Sequence, residues 1–209
     1  IYVIGSPELD IHRENSGLNI IEVKKYYDID FIEYGICIFH SVTSELDEIE
    51  IQSEKVFKAL TLSKKNFVVI LPNNDPGSEV IKERIKKLDK KNFKILPSMR
   101  FNYFSELIKN CSIFIGNSSA GVRELPFLGI GSINIGSRQT NRGLSSSIQQ
   151  IDDFDELIIK NFILKNWNKK FKKHLAYGKG NAAKEFVELL KRDSIWEKNL
   201  QKKFKDTYE

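Results

Sequence analysis

The sequence predicts an α/β chain built on a doubly wound parallel sheet, and three observations carry that prediction. Short β-branched runs alternate with amphipathic stretches from about residue 35 to residue 135. Runs such as 35–39 and 67–71 are apolar throughout rather than every second residue, the pattern of strands covered on both faces. The stretches between them are long enough to be helical crossovers, which parallel strands need and hairpins do not.

Taken in order, residues 1–5 read as the end of a strand entering a turn, which suggests a start inside a longer protein. Residues 6–18 are polar and read as an irregular link from an upstream domain. The expected strands are 35–39, 67–71, 93–96, 112–115 and 132–135. Helices are expected at 45–62, 78–88, 104–111 and 121–128. In the first of these, Leu46, Ile49, Val56, Ala59 and Leu60 form a stripe, while Glu45, Asp47, Glu48 and Glu50 complement the positive end of the helix dipole. Beyond Ile151 the character changes: a helix over 152–165, a basic connector over 166–173, a flexible point at Gly178 to Asn181, and closing helices at 182–192 and 195–205. The expected division is a link at 1–18, a nucleotide-binding domain at 19–180 and terminal helices at 181–209.

Composition narrows the function classes. With 209 residues, 41% hydrophobic and 29% charged, the chain has the makings of a packed globule. No apolar run approaches the ~20 residues of a membrane span. The net charge of +5 raises nucleic acid as a partner, but the lysines alternate with acids on helix faces, as in Lys82-Glu83-Arg84, and read as solvated surface. Cys37 and Cys111 sit in apolar segments far apart, which predicts reduced, buried thiols and a cytoplasmic setting. No cluster has metal-ligand spacing, and no cofactor is expected.

In a doubly wound sheet, ligands sit beyond the carboxyl ends of the strands, so site chemistry is expected in the segments after each strand. Gly116-Asn117-Ser118-Ser119-Ala120-Gly121 joins a strand to a helix. Its small residues admit a close backbone approach, and its free amides with two hydroxyls form an anion cradle; a plain serine N-cap is the structural alternative. Glu124, one turn into that helix, can accept both hydroxyls of a ribose, or simply complement the dipole. The loop from Gly136 to Gly143 carries Arg138 and Arg142, good phosphate partners or an exposed basic loop. His40 closes the first strong strand, where it can donate to a phosphate or move a proton; His12 and His174 lack such a place. Asn73 faces the crevice or forms a turn. Ser98-Met99-Arg100-Phe101-Asn102-Tyr103-Phe104 places aromatics beside a strand end, where a base can stack, although core packing is the commoner role of an aromatic.

These pieces, in this order, resemble the UDP-N-acetylglucosamine 2-epimerase family, particularly the C-terminal half of its hydrolysing members from sialic-acid and related nonulosonate pathways. The resemblance rests on His40-Ser-Val-Thr43, Leu71-Pro-Asn-Asn-Asp-Pro-Gly-Ser78, Gly116-Asn-Ser-Ser-Ala-Gly-Val-Arg-Glu124, Ile133-Asn-Ile-Gly-Ser-Arg-Gln139 and Tyr177-Gly-Lys-Gly-Asn-Ala182. It implies a Rossmann-like second domain of a glycosyltransferase-B-type pair, with a missing N-terminal domain as partner and a homo-oligomer in the intact enzyme. The implied substrate is UDP-N-acetylglucosamine or a nucleotide-linked diacetamido sugar. By the same resemblance His40 contacts the diphosphate and assists catalysis. Asn73, Ser118 and Ser119 line the phosphate pocket, the Met99 backbone reads the uracil edge, Phe104 stacks on the base, Glu124 holds the ribose and Arg138 contacts the nucleotide. The implied reaction is metal-free and passes through a glycal.

Two other readings compete. A glycosyltransferase of the same architecture would carry a second acid two helical turns beyond Glu124, where Gly131 and Ser132 stand. A non-catalytic nucleotide-binding module would lack catalytic carboxylates upstream.

Overall fold

The computed structural model describes residues 1–14, 17–143, 145–197 and 201. Six parallel strands form one sheet: β1 (Gly35–Ile38), β2 (Phe67–Ile70), β3 (Phe93–Leu96), β4 (Phe114–Gly116), β5 (Ser132–Ile135) and β6 (Ile148–Ile151). Their spatial order is β3-β2-β1-β4-β5-β6, so the winding direction reverses between β1 and β4. Ile38 is in register with Ile70 on one side and with Gly116 on the other.

Side chains alternate between the two faces, as the period of two demands. Cys37, Val69, Ile115 and Ile133 face a core shared with α3 (Ile49–Ser63), α4 (Ser78–Lys86) and α7 (Glu156–Asn166). Ile36, Ile38, Val68 and Phe114 face a second core with α2 (Ile20–Tyr27), α5 (Phe101–Lys109) and α6 (Ser119–Leu128). β1 and β2 carry no polar side chain and are buried at every position, as a sheet covered on both faces favours. Both cysteines are buried and free, and burial pushes each thiol up to about 12. Among the described residues no helix is long and apolar enough to cross a membrane.

The sequence expectations need four corrections. Residues 1–5 form no strand. The expected irregular stretch 6–18 contains α1 (Glu8–Arg13), whose Leu9 is fully buried and which packs against α5 and α6. β6 and α2 were not foreseen; the two central glutamines of β6 are exposed at the sheet edge, so it shows no apolar run. The helix expected over 45–62 is broken, a 3-10 turn at Thr43–Glu48 preceding α3, because Glu45 has non-helical dihedrals. At the chain's end, α8 (Ala182–Leu190) and α9 (Asp193–Trp196) are present, while most of the closing helix expected over 195–205 lies outside the described residues.

α1 fastens the two ends of the described chain together. The Asp10 carboxylate accepts the backbone N–H groups of Ala182 and Ala183, both at 2.8 Å, and so supplies the cap that Asn181 does not. Nearby, the Ser6 N–H donates to Tyr177 O at 2.8 Å, and Glu8 pairs with Arg123 of α6.

Candidate functional site

The reversal between β1 and β4 leaves a crevice at the strands' carboxyl ends, where neighbouring crossovers run to opposite faces. Sequence chemistry makes the turn after β4 unusually close. Gly116 has φ +138°, and a Cβ there would fall 2.0 Å from the carbonyl oxygen of Ile38 in β1; only glycine permits that approach. The next residue locks it. Asn117 Oδ1 accepts the His40 backbone N–H at 2.7 Å, and Asn117 Nδ2 donates to His40 O at 2.8 Å. Buried side-chain amides are stable when satisfied in this way. Asn117 therefore welds the ends of β1 and β4 and sets where His40 and Ser118 stand.

A cavity of about 540 Å³ opens over this weld. Of the residues singled out in the sequence, it is lined by His40, Asn73, Met99, Phe104, Ser118 and Glu124. They arrive from the ends of β1, β2, β3 and β4. Ser119 stands in the first turn of α6 and does not line the cavity. Arg138 does not line it either; it stands at the rim, half-buried, its guanidinium donating to Asn117 O at 3.3 Å. Arg142 turns to Gln139 Oε1 at 3.3 Å instead.

Each wall has its own physical character. Ser118 holds the N-cap position of α6, yet its hydroxyl makes no cap hydrogen bond. The hydroxyl and the first amides of the helix thus remain available to an anion. His40 is 6% exposed. Burial pushes its imidazole down from 6.5 to about 4, the nearby Arg138 charge adds to the push, and Asp75 opposes it. The Asn73 backbone N–H donates to His40 Nδ1 at 3.2 Å, so the ring is neutral near neutral pH and its proton sits on Nε2. Phe104 is mostly absorbed in the core beside Leu107 and Ile108. Phe101, which also lines the cavity, is 37% exposed and presents more ring to a ligand.

Glu124 is the residue whose surroundings were least foreseen. His12 Nε2, from α1, bonds its Oε2, while His12 Nδ1 meets Ser105 Oγ of α5 at 2.8 Å. The His12 side chain is wholly buried. Sequence reading set His12 aside because it lies outside the strand ends. Its one signal is local: Leu9 and His12 are three apart and share the inner face of a single helical turn.

Comparisons with known proteins bear on the family and the fold. The family profile described as UDP-N-acetylglucosamine 2-epimerase matches residues 1–191. The UDP-N-acetylglucosamine 2-epimerase of Neisseria meningitidis serogroup B is 36% identical over 209 residues, 99% of this chain and 55% of its own length. The hydrolysing UDP-N,N'-diacetylbacillosamine 2-epimerase of Legionella pneumophila is 27% identical over 194 residues, covering 91% of this chain and 51% of its own. Among solved structures, the Neisseria meningitidis UDP-GlcNAc 2-epimerase bound to UDP-GlcNAc superimposes with a TM-score of 0.70 at 16% identity, over 90% of this chain and 54% of that one. At that identity the likeness speaks to the fold, one Rossmann-like unit of the two-domain, glycosyltransferase-B type. The chain spans about half the length of the curated relatives it matches. By sequence over nearly its whole length, and by fold, it belongs to the UDP-N-acetylglucosamine 2-epimerase family.

Proposed function

We propose that this chain is the nucleotide-binding C-terminal half of a hydrolysing 2-epimerase acting on UDP-N-acetylglucosamine or a UDP- or GDP-linked diacetamido sugar. The observation that carries the reading is the convergence of His40, Ser118 and Glu124 on one cavity at the β1/β4 reversal, with Arg138 at its rim. In this reading residues 1–18 lead in from a partner domain and already pack α1 onto the unit, 19–180 hold the nucleotide, and the terminal segment from 181 closes it through α8.

The diphosphate lies over the start of α6. The Ser118 hydroxyl and the amides around Ser119 donate to it, neutral His40 donates from Nε2, and Arg138 balances its charge. The backbone of Met99 meets the base edge, Phe104 covers the base face, Asn73 borders the phosphates and Glu124 accepts the ribose hydroxyls. A carboxylate of the partner domain removes the C2 proton. The C1–O bond breaks, its electron pair leaves with the nucleoside diphosphate, and a 1,2-glycal remains. Water then supplies hydroxyl to C1, and a proton returns to C2 from the other face. Charge grows on the departing diphosphate, so the donors around it lower the barrier electrostatically.

The test is to give the full-length protein UDP-N-acetylglucosamine, or the diacetamido analogue, in deuterated water and follow it by NMR. Expected products are free 2-epimer with deuterium at C2 and free nucleoside diphosphate. Transfer of the sugar to an acceptor, without free 2-epimer, would overturn the reading in favour of a glycosyltransferase. Residues 1–209 alone are expected to bind nucleotide weakly and to show no turnover.

A further inference from the structure

Helix α1 contributes something the cavity's own loops do not. Its His12 is enclosed by one face of α5: Ser105 Oγ lies 2.8 Å from Nδ1, and the ring of Phe101, four residues earlier, packs at 5.5 Å between centroids. The far side of the imidazole, Nε2, meets Glu124 Oε2. A carboxylate only accepts, so Nε2 carries the hydrogen, and in the neutral ring Nδ1 accepts from the Ser105 hydroxyl. The chain Ser105–His12–Glu124 thus runs from the interior of α5, through a fully buried ring, to the cavity wall.

A carboxylate offers about four lone-pair sites on two oxygens. His12 occupies one of them, on Oε2, and the rest are what Glu124 can present to a ligand. A free glutamate side chain samples many rotamers, and freezing one on binding costs roughly tenfold in affinity. Here the freezing is done in advance by a residue that has no opening to the cavity itself, since its side chain is 0% exposed. α1 is itself immobilised, by the buried Leu9, by Glu8 on Arg123 and by Asp10 on Ala182 and Ala183. The imidazole is therefore anchored to two helices at once.

We propose that His12 is a positioning residue for Glu124, holding its carboxylate in the orientation that selects ligands bearing vicinal ribose hydroxyls. The inference rests on the reading of Glu124 as the ribose partner. The experiment compares binding of UDP and 2',3'-dideoxy-UDP to the full-length protein by calorimetry. Wild type is expected to prefer UDP by roughly 30-fold or more, as two hydrogen bonds to a charged group imply. His12→Phe is expected to raise the Kd for UDP about tenfold and leave that for the dideoxy analogue within about twofold. His12→Gln, whose amide donor can stand near the place of Nε2, is expected to keep most of the preference. His12→Asn keeps a group beside Ser105 but falls short of Glu124, and is expected to lose it.

An undiminished preference in His12→Phe overturns the positioning role. Should that variant fail to fold, equal preference in His12→Asn and His12→Gln overturns it instead. Glu124→Gln separates the two levels. If it too keeps the full preference, the ribose reading of Glu124 is wrong and the inference falls with it; if it loses the preference while the His12 variants keep theirs, only the inference falls.

Discussion

The two walls of the cavity are built on different principles. The wall of His40 and Ser118 is made by chain segments directly continuing two adjacent strands, and its geometry follows from backbone proximity: Gly116 lets β4 approach β1, and the buried Asn117 behind it closes the gap. The wall of Glu124 is made by a helix side chain backed by a histidine 112 positions earlier and a serine from a third helix. The first wall is fixed where two neighbouring strands end, by the bonds between His40 and Asn117. The second is fixed by side chains of three packed helices.

That contrast can be broken from the first side most severely. Gly116→Ala places a methyl against the Ile38 carbonyl at a positive φ, and is expected to lower stability by at least about 3 kcal/mol. Urea denaturation measures it; an unmoved midpoint would show that the β1/β4 junction can relax and is not stiff.

A second effect belongs to the same wall and is set by pH. His40 resists protonation in the fold, at about 4, but accepts it at 6.5 when unfolded. Its contribution is therefore complete above about 6.5, is lost as pH falls from 6.5 towards 4, and levels off below. The loss amounts to at most about 3 kcal/mol. Plotting unfolding free energy against pH for wild type and His40→Asn should show a shallower acid decline in the variant; parallel curves would mean that the ring titrates normally.

The smallest expected effect sharpens the other side. Asp10→Ala removes the cap of α8 and should cost about 1–2 kcal/mol. Hydrogen exchange should quicken at Ala182 and Ala183 while residues 116–121 stay protected. Equal quickening at both places would show that the two walls are not independent.

The same contrast explains what could be read in the sequence. The strands β1 to β5 and the crossovers are legible because apolar runs and turn residues are local signals, and the strand-end rule then points to the loops that line the cavity. His40, Ser118 and Glu124 were found in this way. Whether Arg138 would face the cavity or only border it depends on a loop conformation that spacing does not encode. β6 was missed because an edge strand with Gln149 and Gln150 in water carries no apolar pattern. α2 was missed although Asn19 and Glu22 form a capping box that sequence can show. α1 was missed because six residues give too short a period to register, and with it went the identity of the group behind Glu124.

The bond from Asp10 to the start of α8 also orders events during synthesis. Asp10 is made 172 positions before Ala182. At ~5–20 residues per second that interval is on the order of ten seconds or more. Helix α1 can lay Leu9 and His12 against α5 and α6 as soon as those helices emerge, but the Asp10 carboxylate finds its donors only after residues 182 and 183 have followed. The start of α8 thus latches α1, and a nascent chain stopped short of residue 182 would keep that latch undone.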